Sequence, residues 1–144
     1  MKPAGESRRV LIFCKDGFGK DMKLNFDKLQ GLVPVVIQDA SEGEVLMVGF
    51  MNQEAFENTI ETGKVTFFSR TRNKLWVKGE TSGHYLLVEE IRVDCDEDTI
   101  VIRANVLGPG VCHNGFRTCF YRRLKDGEWK KCSARVYDPD AVYK

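Results

Sequence analysis

Apolar and β-branched residues fall in short runs separated by polar turns, a pattern that predicts strands more than helices. Val33 to Gln38 is one such run, Glu42-Gly43 gives a turn, and Glu44 to Phe50 is apolar again, which predicts a hairpin. Asn52 suits an N-cap, Glu54 the first turn, and Gly63 the position just past a helix end. Ala55, Phe56, Thr59 and Ile60 fall on one face between them, so Gln53 to Thr62 is expected to be the one main helix. Val65 to Ser69 and Leu75 to Lys78 read as short strands around a polar turn at Thr71 to Lys74, followed by a small-residue loop at Gly79 to Gly83. His84 to Cys95 and Thr99 to Leu107 read as long strands joined by an acidic turn. After a loop at Gly108 to Gly115, Phe116 to Leu124 and Trp129 to Val136 predict a last hairpin across Asp126-Gly127. The expected class is α+β, dominated by antiparallel strands.

A length of 144 residues allows one domain with a self-sufficient core. Residues 1–23 read as an N-terminal extension with a short strand at Arg9 to Cys14, residues 24–124 as the body, and 125–144 as a C-terminal hairpin and tail. No apolar run reaches the roughly 20 residues of a membrane span, and Val10 to Cys14 is shorter than a signal-peptide core, so a cytoplasmic location without a membrane partner is expected.

The net charge of +1 argues against a general nucleic-acid binder, but it hides an uneven distribution. Glu89 to Asp98 carries six acidic residues against one basic, whereas Arg103 to Arg135 carries eight basic against two acidic. Five cysteines, an odd number without an export signal, argue against a disulfide framework.

Three constellations carry candidate chemistry. Asp94, Asp96 and Asp98 alternate, so in an extended chain they project to one side with Cys95 on the other. Crowded carboxylates suit magnesium or calcium, or form a solvated acidic turn; Thr99 and Asn105 exclude an EF-hand continuation. Cys95, Cys112 and Cys119 suit zinc with one open position, or serve as small core residues. Cys14 and Cys132 read as structural. His113 is open to three roles, as ligand, acid/base or plain loop residue, and His84 is less informative. Finally, Ser69-Arg70-Thr71-Arg72 and the run Trp76 to Gly83 supply cations, hydroxyls and glycines suited to a phosphate, or simply a charged turn and a Gly-rich loop.

In order, Gly31-Leu32-Val33-Pro34, Gln38-Asp39, Gly43 to Met47, Met51-Asn52, Ser69-Arg70, Trp76 to Gly83, Asp94-Cys95-Asp96 and Cys112 to Phe120 resemble the phosphoribosyl-AMP cyclohydrolase family, from about Leu24 to Arg122. The resemblance implies a hydrolase of histidine biosynthesis that opens the N1–C6 bond of its substrate's adenine, with zinc and magnesium as cofactors. It places the zinc ligands on Cys95, Cys112 and Cys119 and the magnesium ligands on Asp94, Asp96 and Asp98. It also implies a homodimer whose zinc site is shared across the interface.

On this reading zinc supplies acidified water to attack C6, and His113 moves the proton. Arg70, Arg72, Trp76, Lys78, Glu80, Thr81 and Ser82 are the expected substrate contacts. The loop Gly108-Pro109-Gly110-Val111 looks one residue longer than the commonest family form. Some relatives carry a fused pyrophosphohydrolase, for which this chain is too short, so a single function is expected. Two competing readings are a zinc-stabilised RNA-binding module using the basic stretch from Arg117, and a cysteine-nucleophile enzyme using Cys112 and His113. The first leaves the aspartates and the Trp76–Gly83 run unused. The second places nucleophile and base on adjacent, diverging side chains.

Overall fold

A computed structural model describes residues 22–143. The expected strand at Arg9 to Cys14, with Cys14 itself, lies outside the described residues.

Val33–Asp39 (β1) alternates buried and half-buried positions along its whole length, with Val33, Val35, Ile37 and Asp39 inward. It pairs antiparallel with Val45–Met51 (β2). The helix Gln53–Thr62 (α1) begins and ends as its caps dictate. The Asn52 side chain accepts from the Ala55 amide at 2.8 Å, and Gly63, at φ 77°, closes the last turn onto the Thr59 carbonyl at 2.9 Å. Ala55, Phe56, Thr59 and Ile60 are buried.

Thr66–Ser69 (β3) and Lys74–Val77 (β4) form a separate hairpin. Leu86–Val93 (β5) pairs antiparallel with Ile100–Val106 (β6). The main sheet has the order β2-β1-β6-β5, and its β1–β6 pair is parallel. The sheet is thus mostly antiparallel. The parallel pair joins strands sixty residues apart, so no local turn announces it.

The core lies between the sheet, α1 and the β3–β4 hairpin, around Phe67, Leu46, Met51, Ile60, Leu86, Ile100 and Ile102. Phe67 rests directly on the backbone of Gly49: a Cβ there would stand 2.5 Å from the ring. A side chain at position 49 would displace the most voluminous of the fully buried residues.

The last hairpin is shorter than expected, Arg122–Lys125 (β7) against Glu128–Lys131 (β8), and every residue in it is exposed. Phe116 to Tyr121 is not a strand. Its Phe116 and Arg117 carbonyls accept from the loop before it, and its Thr118 hydroxyl and Cys119 amide donate to β2, instead of forming a ladder. A second, one-turn helix, Pro139–Val142 (α2), follows, capped by Asp138 and started by Pro139. Among the described residues there is therefore one main helix and a short second one.

Candidate active site

The expected zinc and magnesium residues separate onto two ends of the sheet. At one end, the β5–β6 turn carries Asp94 to Asp98. The three aspartates do converge, with one carboxylate oxygen of each within 4.8 Å of the others. They converge through a turn, not through strand alternation. The Glu97 amide donates to the Asp94 carbonyl at 3.1 Å, Glu97 sits at φ 63°, and Asp94 accepts from the amides of Asp98 and Thr99. Cys95 lies in this turn, exposed, with its sulfur 4.0 Å from Asp96.

The crowded charge already has a partner. The Lys28 ammonium bridges Asp96 and Asp98 at 2.9 Å each. That contact holds the Asp98 carboxyl below the usual carboxylate range and lifts the Lys28 ammonium above its own. Nothing in the local sequence signals Lys28, which arrives from nearly seventy residues away.

At the other end lies the loop that carries Cys112 and Cys119. The Cys112 amide donates to the Phe116 carbonyl and the Gly115 amide returns to the Cys112 carbonyl, folding Cys112 to Gly115 into a tight turn. Gly115 has φ 96°, a conformation glycine adopts at no steric cost. The Thr118 hydroxyl and the Cys119 amide then fasten onto the carbonyls of Val45 and Leu46 at the start of β2. Arg117 spans from this loop to Asp39 at 3.2 Å and Glu44 at 3.3 Å.

The effect is to bring Cys112, which is buried, into side-chain contact with Cys119. The protein atoms around the otherwise exposed Cys119 and the neighbouring Cys112 sulfur push the Cys119 thiol up to about 11, while the Lys78 charge pulls the other way. Two thiols that oppose each other's ionisation are an unfavourable pair for thiolate chemistry unless a cation joins them. A bound dication reverses that balance and deprotonates its thiol ligands. The donor set therefore fits a thiophilic metal such as zinc.

His113 follows Cys112 directly and is exposed. Lys78 is buried, and its ammonium donates to the Val111 carbonyl at 2.6 Å. His84 Nδ1 is 3.1 Å from the Gly110 carbonyl. Tyr137, from the C-terminal tail, donates its hydroxyl to the Cys112 carbonyl. Tyr137 carried no expected role, and the contacts that define His84, Arg117 and Tyr137 here are all long-range.

Cys95 does not join the other two within one chain. Cys119 is tied to β2, Cys95 follows β5, and three strand spacings separate those strands, about 14 Å. Along the strands Gln38 beside Val45 aligns with Arg103, whereas the Cys95 turn closes beyond Ile100.

The expected phosphate contacts also fall in two groups. Lys78 reaches the cysteine loop at the Val111 carbonyl, and Glu80, Thr81 and Ser82 follow it in the 79–83 turn. Glu80 accepts from the Val77 amide and Ser82 from the His84 amide, so both shape the 79–83 turn. Arg70 and Arg72 sit at the far tip of the β3–β4 hairpin, both exposed, with Arg70 stacked 4.0 Å over Phe50. Trp76, half-buried, lies 5.2 Å from Phe67 between the two groups.

Comparison with known proteins identifies the family. The sequence profile of phosphoribosyl-AMP cyclohydrolase matches residues 47–121. A phosphoribosyl-AMP cyclohydrolase of Solibacter usitatus is 58% identical over 122 residues, 85% of this chain and 97% of that protein. One from Geotalea uraniireducens is 53% identical over 85% of this chain and 98% of its own length. Another, from Nitratidesulfovibrio vulgaris, is 52% identical over 83% and 95%. Among the described residues no helix is long and apolar enough to cross a membrane. With identity at this level across nearly the whole length of these relatives, the chain belongs to the phosphoribosyl-AMP cyclohydrolase family of enzymes.

Proposed function

We propose that this enzyme hydrolyses the N1–C6 bond of the adenine ring in 1-(5-phosphoribosyl)-AMP, a step of histidine biosynthesis in the cytoplasm. Cys112 and Cys119 of one copy, with Cys95 of a second copy in a homodimer, would hold zinc. Asp94, Asp96 and Asp98 would hold magnesium, with Lys28 swinging aside. The observation that carries the reading is the approach of Cys112 and Cys119 within a loop that also presents His113.

The phosphoribosyl group on N1 makes C6 an electrophilic amidinium carbon. Zinc, when bound, supplies a water whose pKa is lowered toward roughly 7. His113 accepts the proton through its imidazole as water adds to C6. It returns a proton to N1 as the C6–N1 bond breaks. As that bond breaks the new hydroxyl on C6 gives its proton to solvent, and C6, keeping its exocyclic nitrogen, becomes a carboxamide, so ammonia is not released. The Glu80-Thr81-Ser82 turn and Lys78 border the site where one phosphate would lie, with Trp76 beside it. Arg70 and Arg72 suit the second phosphate at the hairpin tip, since two phosphates on opposite riboses need separated anchors.

The direct test is ring opening followed by absorbance, with zinc-loaded protein, chelated protein and Cys112→Ser. The reading expects turnover that is lost on chelation, restored by zinc, and absent in Cys112→Ser with its circular dichroism unchanged. A zinc-loaded wild type without turnover refutes it.

A further inference from the structure

We infer that Tyr137, in the C-terminal tail, is a positioning residue that sets the orientation of Cys112 for metal, an inference that rests on the zinc reading above. Three consecutive carbonyls of the cysteine loop are each met by a side chain, two flanking the 79–83 turn and one from the C-terminal tail. His84 faces Gly110, Lys78 donates to Val111, and Tyr137 donates to Cys112. Such contacts to the peptide groups of a ligand residue fix its backbone and hence the direction of its Cα–Cβ bond.

Tyr137 is held against the loop by backbone as well as side-chain contacts. The amides of Val136 and Tyr137 both donate to the Gly115 carbonyl, at 2.8 and 3.3 Å. The tail lies so close that a Cβ on Gly115 would stand 2.5 Å from the Tyr137 carbonyl oxygen. The Tyr137 ring meets His84 edge-on at 4.9 Å, so two of the three donors also brace each other. The Cys112 carbonyl accepts twice, from Gly115 within the turn and from Tyr137 across it. Losing the hydroxyl removes the outer constraint and leaves the turn itself intact. The tail thereby joins the machinery of a site whose other parts all precede it in the chain.

Tyr137→Phe keeps the ring and its contact with His84 and deletes only the hydroxyl. Zinc affinity, measured by competition with a chromophoric chelator, should fall about tenfold, the range seen when a group behind a metal ligand is lost. The cobalt-substituted protein should show a weakened or shifted thiolate-to-metal band. In the metal-free protein, alkylation of Cys112, read by peptide mass spectrometry, should quicken severalfold. Thermal stability should change little, by no more than about 4 °C for the loss of one hydrogen bond in a chain of this size. Zinc affinity within about twofold of wild type, with an unchanged cobalt spectrum and alkylation rate, overturns the inference. A Cys112→Ser protein that binds zinc as wild type does would instead overturn the metal reading beneath it, so the two failures are distinguishable.

Discussion

Arg117 offers the sharpest test of how the cysteine loop is anchored. Its guanidinium reaches Asp39 Oδ1 at 3.2 Å and Glu44 Oε1 at 3.3 Å. Asp39 is almost wholly buried, with a side chain 4% exposed, and its other oxygen is taken by Ser41 and the Glu42 amide. Arg117→Met keeps much of the aliphatic stem but strands one oxygen of a buried carboxylate. Breaking a fully buried pair costs about 3–5 kcal/mol, and an exposed one at most about 1. Arg117 is 31% exposed, so water reaches it and the cost lies between, near 2 kcal/mol. With a urea m-value of about 2 kcal/mol/M, the midpoint should fall by about 1 M. Asp39→Asn removes the stranded charge, and the double variant should recover at least about 1 kcal/mol of the summed single losses. A loss in Arg117→Met below about 0.5 kcal/mol, or strict additivity in the cycle, would refute the anchoring role. Because Arg117 lies between Cys112 and Cys119, the same variant should also weaken zinc binding.

Two further outcomes follow from the charge arrangement. The Cys119 thiol is raised to about 11 in the fold against an ordinary 9.0, so the unfolded chain ionises first as pH rises. Metal-free, reduced protein should therefore hold this contribution below about pH 9 and lose it between about 9 and 11; the stability difference from Cys119→Ala, followed by thermal unfolding, should decline across that window, and a flat difference would contradict it. Lys28 competes with any cation for Asp96 and Asp98, so Lys28→Met should bind magnesium more tightly by calorimetry, and equal or weaker binding would show that the ammonium does not occupy the cation's place.

Much of this fold is legible because its signals are local. The Asn52 cap, the Gly63 stop and one apolar face define α1 without reference to anything else. The β1–β2 and β5–β6 pairs follow from alternation and nearby turns. The parallel β1–β6 pairing has no such signal, and the stretch from Phe116 to Tyr121 looks like a strand because its apolar residues suit one. There Thr118 and the Cys119 amide find partners on β2, and Phe116 stacks on Tyr121 at 3.6 Å instead of alternating in a ladder. The Asp94 to Asp98 run shows the same limit. Its carboxylates converge because Glu97 takes a left-handed turn, a conformation that alternation along an extended chain does not contain. Candidate ligands could be named from the chain, but Lys28 and Tyr137 could not, since each is defined only by a contact to a distant segment.

The separation of the cysteines has its own consequence for assembly. The registers of β1, β6 and β5 are locked by ladders of buried side chains, with one shift between Val88 and Glu90, so the two ends of the sheet cannot approach each other without unfolding it. Metal–sulfur bonds are about 2.3 Å, and no single ion spans the distance between Cys95 and the Cys112–Cys119 pair of one chain. On the proposed reading, zinc binding by three cysteines is then also an assembly step, and its affinity depends on protomer concentration. Mixing Cys95→Ser with Cys112→Ser separates this from a site built within one chain. Each variant alone should be inactive. If subunits exchange freely, half of the dimers are mixed and each mixed dimer holds one complete set, so about a quarter of wild-type turnover should return. Mixtures that remain inactive, while mass spectrometry shows the mixed dimer present, would refute a site shared between copies.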